Sequence, residues 1–396
     1  MAQQNNSIIR HNMRIFYIVD CLRALFFFTS IWVAYELQFI TISQLTTIEA
    51  CIIGSTLILQ LPTGAFADMF GKRKAMIIGC LLYVIALSMY SVSTSFSQFL
   101  VYAFLMGAAG SFIDGTREAL LYDTLKEEGQ ETKFSFISSK LSMIFQISIS
   151  VATLIGSMVG SYSFIWPIRL TAGAYLIAAI LCYFYREPSI DTEVFTLKNY
   201  LNKTKAGLRE LMKTPFIKKL SLFYIMIGSV TWVTVITFNM MFLTQLKFTT
   251  EEIGFTVSLG RILNGVVLFS LIGMGTFFTR RRTFLLLPII IAVSFIPAAF
   301  MTKWWALVPV FGAMFVSSAR WNLLTRYTNA EFSSQNRATA ISALSMIIGL
   351  VYVIVVGASG PIIEKFHNVG VIYTFLGIMT VITTVPMSIH LAKHHG

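Results

Sequence analysis

Three observations predict an all-α, polytopic membrane fold of twelve spanning helices. Apolar runs of about 20 residues recur along the whole chain. Hydrophobic residues make up 56% of it against 12% charged. The mean hydropathy is +0.74. A soluble chain of 396 residues has no interior large enough to hide that much apolar surface, and charged residues in soluble proteins run at about 25%. The first apolar run is followed by no small-residue cleavage site, and equally apolar runs continue to the end. It therefore reads as a spanning helix and not as a removable leader.

The expected spans of the first half are 14–36, 46–70, 73–94, 97–122, 136–160 and 165–185. Those of the second half are 215–243, 252–278, 283–301, 304–326, 337–358 and 368–391. Trp304 and Trp305 open the tenth and suit an interfacial aromatic belt. Between the halves lies the only long polar connection, 186–214, which divides the chain into domains 1–185 and 215–396. Within that linker Leu197, Tyr200, Leu201, Leu208 and Leu211 recur at roughly helical spacing, predicting an amphipathic helix on the inner surface.

Basic residues orient the spans. Arg10, Arg14, Lys72 to Lys74, Lys126, Lys133, the linker, Arg280 to Arg282, Arg326, Arg337 and Lys393 share one side of the twelve-span plan, while the opposite loops carry Lys247, Lys303 and Lys365. The positive-inside rule places both termini in the cytoplasm. The net charge of +12 follows from this asymmetry and points to anionic headgroups, not to nucleic acid, for which no recognition module is present. Cys21, Cys51, Cys80 and Cys182 lie in apolar runs without metal-ligand spacing and read as small core residues. His11, His390, His394 and His395 fall near the ends and His367 beside an outer loop, so no metal or cofactor site is predicted.

An internal repeat organises the twelve spans. A shift of 203 residues lays 115–144 on 318–347, so that Arg117 meets Arg320, Leu120 and Leu121 meet Leu323 and Leu324, and Leu141-Ser142-Met143-Ile144 meets Leu344-Ser345-Met346-Ile347. Both copies join a fourth to a fifth span of their half. Two six-helix bundles related by a pseudo-twofold axis along the membrane normal are the expected outcome.

The stretch GAFADMFGKRKAM, 64–76, sets an acidic and basic turn between the second and third spans. Its positional counterpart, FFTRRRTFLL at 277–286, keeps the basic cluster and lacks the acid. With Gly64, Asp68, Gly71, Arg73 and Lys74 in this pattern, the chain resembles the major facilitator superfamily of transporters over essentially its whole length, whose signature between helices two and three is written GxxxDxxGRRR. The resemblance, nearest to bacterial proton-coupled efflux members, implies two bundles that rock about a central path in the cell membrane. It gives Asp68 and Arg73 the role of a cytoplasmic latch. Two departures stand against a standard drug antiporter. Ala103 occupies the place of an arginine four residues before Gly107, and Gly156 to Gly160 lacks the Gly-Pro pair of the fifth helix.

Ionisable side chains inside spans are expensive and mark function or internal pairing. Asp20 and Arg23 lie three apart in the first span, on one helical face. Asp114, Arg117 and Glu118 form a second cluster in the fourth. Asp20 or Asp114 are the candidates for proton coupling, with Arg23, Arg117 and Arg261 for substrate or coupling. Arg261, without an acid within one turn, suits an anionic substrate group or a carboxylate from another helix, a snorkelling or structural arginine being the alternative. Gly64, Asp68, Gly71, Arg73, Glu118 and Arg320 are assigned to the cytoplasmic gate. Gln146, Asn239, Asn264 and Asn322 are candidate path-lining hydrogen bonders, and Phe26, Phe27, Phe28, Tyr35, Trp232 and Trp321 candidate cavity aromatics.

The expected function is a secondary transporter of a small amphiphilic, zwitterionic or anionic organic solute, exporting it in exchange for protons. A symporter or facilitator taking up a nutrient or metal chelate, and a lipid translocator, are the alternatives. No nucleotide-binding loop and no nucleophile–base constellation accompany the spans, so neither ATP drive nor catalysis is predicted. The proton gradient supplies the energy, and one chain holding both halves needs no second copy.

Overall fold

The structure is a computed structural model describing residues 2–188, 197–273, 278–333 and 335–393. Positions 189–196 of the linker, 274–277 in the eighth expected span, and His394 and His395 lie outside the described residues. The elements are α1 (Ala2–Arg23), α2 (Trp32–Glu36), α3 (Ile42–Phe70), α4 (Lys72–Tyr90), α5 (Phe96–Lys126), α6 (Phe134–Gly160), α7 (Ile165–Cys182), α8 (Leu197–Leu211) and α9 (Pro215–Val233). There follow α10 (Asn239–Gln245), α11 (Thr250–Gly273), α12 (Arg280–Phe295), α13 (Leu307–Ala319), α14 (Thr325–Glu331), α15 (Arg337–Phe366), α16 (Gly370–Met379) and α17 (Val385–Lys393). Among the described residues the chain is all-α, and ten helical stretches are long and apolar enough to cross a membrane.

The first expected span, 14–36, is not one continuous helix. Helix α1 stops at Arg23, a single 3-10 turn covers Phe27–Ser30, and α2 completes the segment. Backbone groups released by this break find partners on α7: the Phe27 N–H donates to Thr171 Oγ1 at 3.0 Å, and the Tyr175 hydroxyl donates to the Arg23 carbonyl at 3.2 Å. Irregular backbone at membrane depth is tolerated only where protein satisfies it in this way. Gly156 of α6 completes the clamp, because a Cβ there would stand 1.7 Å from the Phe27 carbonyl oxygen.

The described chain divides into two compact units. Unit 1 comprises Met1–Ile40, Cys51–Thr196 and Thr250–Ser258, and unit 2 comprises Thr41–Ala50, Leu197–Thr249 and Leu259–Gly396. In unit 1, α4 packs on α5 and α7, and α1 on α6 and α7. An aromatic core of Tyr35, Tyr90, Phe99 and Tyr102 closes one end, with the Tyr35 hydroxyl donating to the Tyr90 carbonyl at 3.0 Å. Tyr35, a cavity candidate in the sequence, is therefore a core residue.

In unit 2, α15 packs on α8 and α9, and α12 on α13, α16 and α17. Among the described residues three π-helical turns interrupt its helices: Thr234–Phe238 between α9 and α10, Arg320–Leu324 between α13 and α14, and Thr380–Thr384 between α16 and α17. Threonine hydroxyls bond back onto carbonyls beside these turns, from Thr234 to Val230, Thr380 to Leu376 and Thr325 to Arg320. Such hydroxyls compete with the regular ladder and support the widened turn.

Helix α8 belongs to unit 2 and turns Gly207, Glu210 and Leu211 inward, whereas Leu201 of the anticipated apolar face is exposed. Glu210 holds the start of the α15 segment, accepting from the Ser333 N–H at 2.9 Å and from Asn336 Nδ2 at 3.3 Å. The Ser333 hydrogen bond, followed by those of the neighbouring side chains and Lys213, holds the Glu210 carboxyl below its ordinary range.

Candidate functional site

In unit 1 the break after Arg23 leaves a four-charge cluster. Asp20, 2% exposed, accepts Nε of Arg117 on Oδ1 at 2.7 Å while Nη2 of the same guanidinium bonds Oδ2. This is the two-pronged geometry for which the arginine fork is suited. Arg23 Nη1 reaches Asp20 Oδ1 at 3.4 Å, and its Nη2 lies 3.8 Å from Asp114 Oδ1. The structure therefore joins Asp20, Arg23, Asp114 and Arg117 from α1 and α5 into one chain of alternating sign. Two carboxylates balance two guanidiniums, which removes most of the penalty of burying any one of them. Asp114 is the open end, its side chain 69% exposed. Beside the cluster, the Tyr83 and Tyr175 rings stack with centroids 4.2 Å apart and Phe26 meets Tyr175 edge-on at 5.8 Å.

The turn between α3 and α4 is held by motif residues together with partners the motif did not name. Gly71 adopts φ +101°, a left-handed conformation suited to glycine, and opens α4. The Glu187 carboxylate accepts from the N–H groups of Lys72 at 2.5 Å and Arg73 at 2.9 Å, so an anion sits on the positive end of α4. Lys72 Nζ pairs with Asp123 of α5 at 2.7 Å. Arg73 donates to the Tyr185 carbonyl at 3.3 Å and lies over the Tyr183 ring. Asp68 and Glu118 are exposed, and a methyl group at Gly64 would meet nothing within 4 Å. Asp123 of α5 and Glu187 downstream of α7, both invisible to a motif read between the second and third spans, complete the turn.

Unit 2 is built differently. Glu49, one of the ten residues that α3 and its lead-in give to this unit, accepts from the Tyr352 hydroxyl at 3.4 Å. Tyr352 is fully buried, shares a 2.5 Å hydrogen bond with Thr237 in the first π turn, and packs against Trp232. Glu49 forms no ion pair among the described residues. It escapes the sequence reading, although an acid within an apolar run is the same signal that singles out Asp20.

Arg320, 3% exposed, opens the second π turn. Its Nη1 donates to the Tyr224 hydroxyl at 3.1 Å, and its guanidinium lies 4.4 Å from the Trp321 ring centroid and 5.3 Å from that of Tyr224. Arg261 makes no ion pair or hydrogen bond among the described residues, and the buried Nδ2 of Asn264, one turn along α11, has no partner there. Asn239 accepts from the Tyr373 hydroxyl and joins helices, whereas Asn322 and Gln146 are exposed. Among the described residues no group of three or more His, Cys, Asp or Glu is placed to hold a metal.

Comparisons with known proteins place this geometry in a family. A family model described as Major Facilitator Superfamily matches residues 16–279. An uncharacterized transporter of Buchnera aphidicola subsp. Schizaphis graminum (strain Sg) is 31% identical over 150 residues, 38% of this chain and 36% of its own. A second, from Buchnera aphidicola subsp. Acyrthosiphon pisum (strain APS), is 24% identical over 188 residues, 47% of this chain and 45% of its own. The chain thus spans less than half the length of these curated relatives. Among solved structures, the nucleoside transporter NupG superposes with a TM-score of 0.73 at 13% identity, covering 98% of this chain and 99% of that one. A bacterial homolog of the human lysosomal transporter Spinster gives 0.71 at 14% identity, covering 98% and 97%. A structure reported for substrate recognition in proton dependent oligopeptide transporters gives 0.68 at 12%, covering 96% and 99%. At these identities the likeness is one of fold.

Proposed function

Because this chain belongs to the Major Facilitator Superfamily, we propose that it is a proton-coupled symporter that takes up a small polar organic solute through twelve spans in two six-helix bundles, 1–185 and 215–396. The chain is a multi-pass membrane protein of the kind found among bacterial inner-membrane transporters, and its work is secondary transport by alternating access. The observation that carries the site is the balanced Arg117–Asp20–Arg23–Asp114 chain at the broken first helix. A charge-neutral cluster beside stacked tyrosines suits a solute with polar and aromatic or amphiphilic character. Discontinuous helices are where transporters of other folds also place their substrates.

Uptake is favoured over export by the company the fold keeps. The structures it resembles include a nucleoside transporter and one reported for substrate recognition in proton dependent oligopeptide transporters. The antiporter departures at Ala103 and at 156–160 point the same way.

The carboxyls divide the labour by what protonation breaks. Protonating Asp20 disrupts a two-pronged pair. Protonating Glu49 disturbs only a hydrogen bond from a neutral tyrosine, and Asp114 is held by one long contact to Arg23. Glu49 and Asp114 are therefore the proposed proton carriers, and Asp20 the fixed anchor. Asp68, Arg73, Gly71 and Lys72, with Glu187 and Asp123, form the proposed cytoplasmic latch.

Proteoliposomes test this reading. An inward proton gradient is expected to drive accumulation of a member of a nucleoside and dipeptide panel, and a protonophore to abolish it. Solute leaving against an inward proton flux would establish export instead, and scrambling of labelled lipid without solute movement would establish lipid translocation.

A further inference from the structure

The internal repeat carries Arg117 onto Arg320, and the structure shows what each arginine does with its fork. Arg117 spends its Nε and Nη2 edge on the two oxygens of Asp20. Arg320 lies at the same repeat position, in the π turn that follows α13 where Arg117 is on α5, and its partner helix is α9 where that of Arg117 is α1. That partner helix offers Tyr224 in place of an aspartate, and the tyrosine takes only Nη1. The edge bearing Nε and Nη2 makes no hydrogen bond among the described residues, and Nε is wholly enclosed. No carboxylate pairs with Arg320 there, although it is more buried than Arg117.

A guanidinium this deep in a membrane protein is costly without an anion. Cation–π contact with the Tyr224 and Trp321 rings offsets part of that cost but leaves the planar donor edge unused. Trp321, 57% exposed, has its ring centroid 4.4 Å from the guanidinium, so the guanidinium lies against a side chain that reaches the open surface. An oxyanion is the chemical class whose two acceptors match that edge. We propose that Arg320 and Tyr224 form a recognition site for a carboxylate or phosphate group of the transported solute, the solute supplying to unit 2 the anion that Asp20 supplies to unit 1. This assignment rests on the transport reading above. It moves Arg320 from the cytoplasmic gate to the substrate.

The test is a titration of the full chain in phosphatidylcholine nanodiscs with sodium acetate and with inorganic phosphate, against sodium chloride at matched ionic strength. Tryptophan fluorescence and Tm are read, with Trp321→Phe to locate the optical signal. The wild type is expected to give a saturable response to acetate or phosphate. Arg320→Gln should weaken it by roughly tenfold or more, and Arg320→Lys, which keeps the charge and loses the fork, should also weaken it. Tyr224→Asp builds the unit 1 arrangement into unit 2, so it should raise Tm and abolish the anion response, a combination that a misfolded variant does not produce. The proposal is overturned if the wild type responds no more to acetate or phosphate than to chloride, or if Arg320→Gln responds like the wild type. A response confined to phosphatidylglycerol nanodiscs would make the oxyanion a lipid headgroup and also overturn it. The titration needs no translocation. Anion binding through Arg320 in a chain that moves no solute counts against the transport reading alone, and solute movement without an Arg320-dependent response counts against this assignment alone.

Discussion

Unit 1 and unit 2 solve the same problem with different chemistry. Both carry an arginine at matched positions of the repeat, Arg117 on α5 and Arg320 just after α13. Unit 1 neutralises it internally with Asp20, on α helices without a π turn among the described residues. Unit 2 sets it against the Tyr224 hydroxyl and two aromatic rings, on helices opened among the described residues by three π turns, and places a half-buried acid, Glu49, on a tyrosine elsewhere.

The largest expected effect comes from removing the anchor. Asp20→Asn leaves Arg117 and Arg23 short of an anion and is expected to cost about 3–5 kcal/mol of stability. Thermal unfolding in detergent checks this, and the double variant Asp20→Asn/Arg117→Gln should recover part of the loss. If Asp20→Asn is neutral, unit 1 is not the charge-locked half. Next, Gly156→Ala should cost roughly 1–3 kcal/mol, since the added methyl must displace the Phe27 carbonyl. Its signature is faster hydrogen exchange around the broken segment and not in unit 2.

A smaller structural effect, about 1 kcal/mol, is expected for Tyr352→Phe. Here transport is the sharper readout: Glu49→Gln should fold normally yet lose acceleration by a proton gradient while keeping solute counterflow. Unchanged proton dependence in Glu49→Gln would assign coupling to Asp114 or Asp20 and erase the contrast between units.

The smallest effect lies at the linker. Because the folded-state pKa of Glu210 is depressed by the Ser333 N–H, its contribution is fully present above the ordinary glutamate value of about 4.3 and fades as pH falls through the lower folded value. Pepsin should therefore cut α8 more readily as the pH drops below that value, whereas Glu210→Gln should lack this pH step.

Much of this architecture is legible in the residues, and the illegible parts have physical reasons. Asp20, Arg23, Asp114 and Arg117 announce themselves because a charge within an apolar run has few uses. Glu49 does not, because a span begun at 46 puts it in the first turn, where an acid is ordinary; the helix begins at Ile42 and carries it two turns inward. Tyr224 is hidden for another reason. The shift of 203 that matches the arginines carries Asp20 to Phe223, one residue short, and a tyrosine in a chain rich in aromatics carries no signal of its own. The break after Arg23 and the π turns are set by contacts from distant helices, Thr171 and Tyr175 among them, which no local pattern encodes.

The broken first helix also bears on how the protein is made. When α1 leaves the ribosome it carries Asp20 and Arg23 into the bilayer, and the guanidinium that neutralises Asp20 stands 97 residues further along the chain. The hydroxyls of Thr171 and Tyr175 that satisfy the break follow later still. Insertion scales charge about 2.5–3.5 kcal/mol for each such residue at mid-helix. The leading segment is thus a reluctant entrant whose seat in the membrane is secured retrospectively, by helices synthesised after it, so a nascent chain arrested after α4 should hold α1 in the membrane poorly while one arrested after α7 should not.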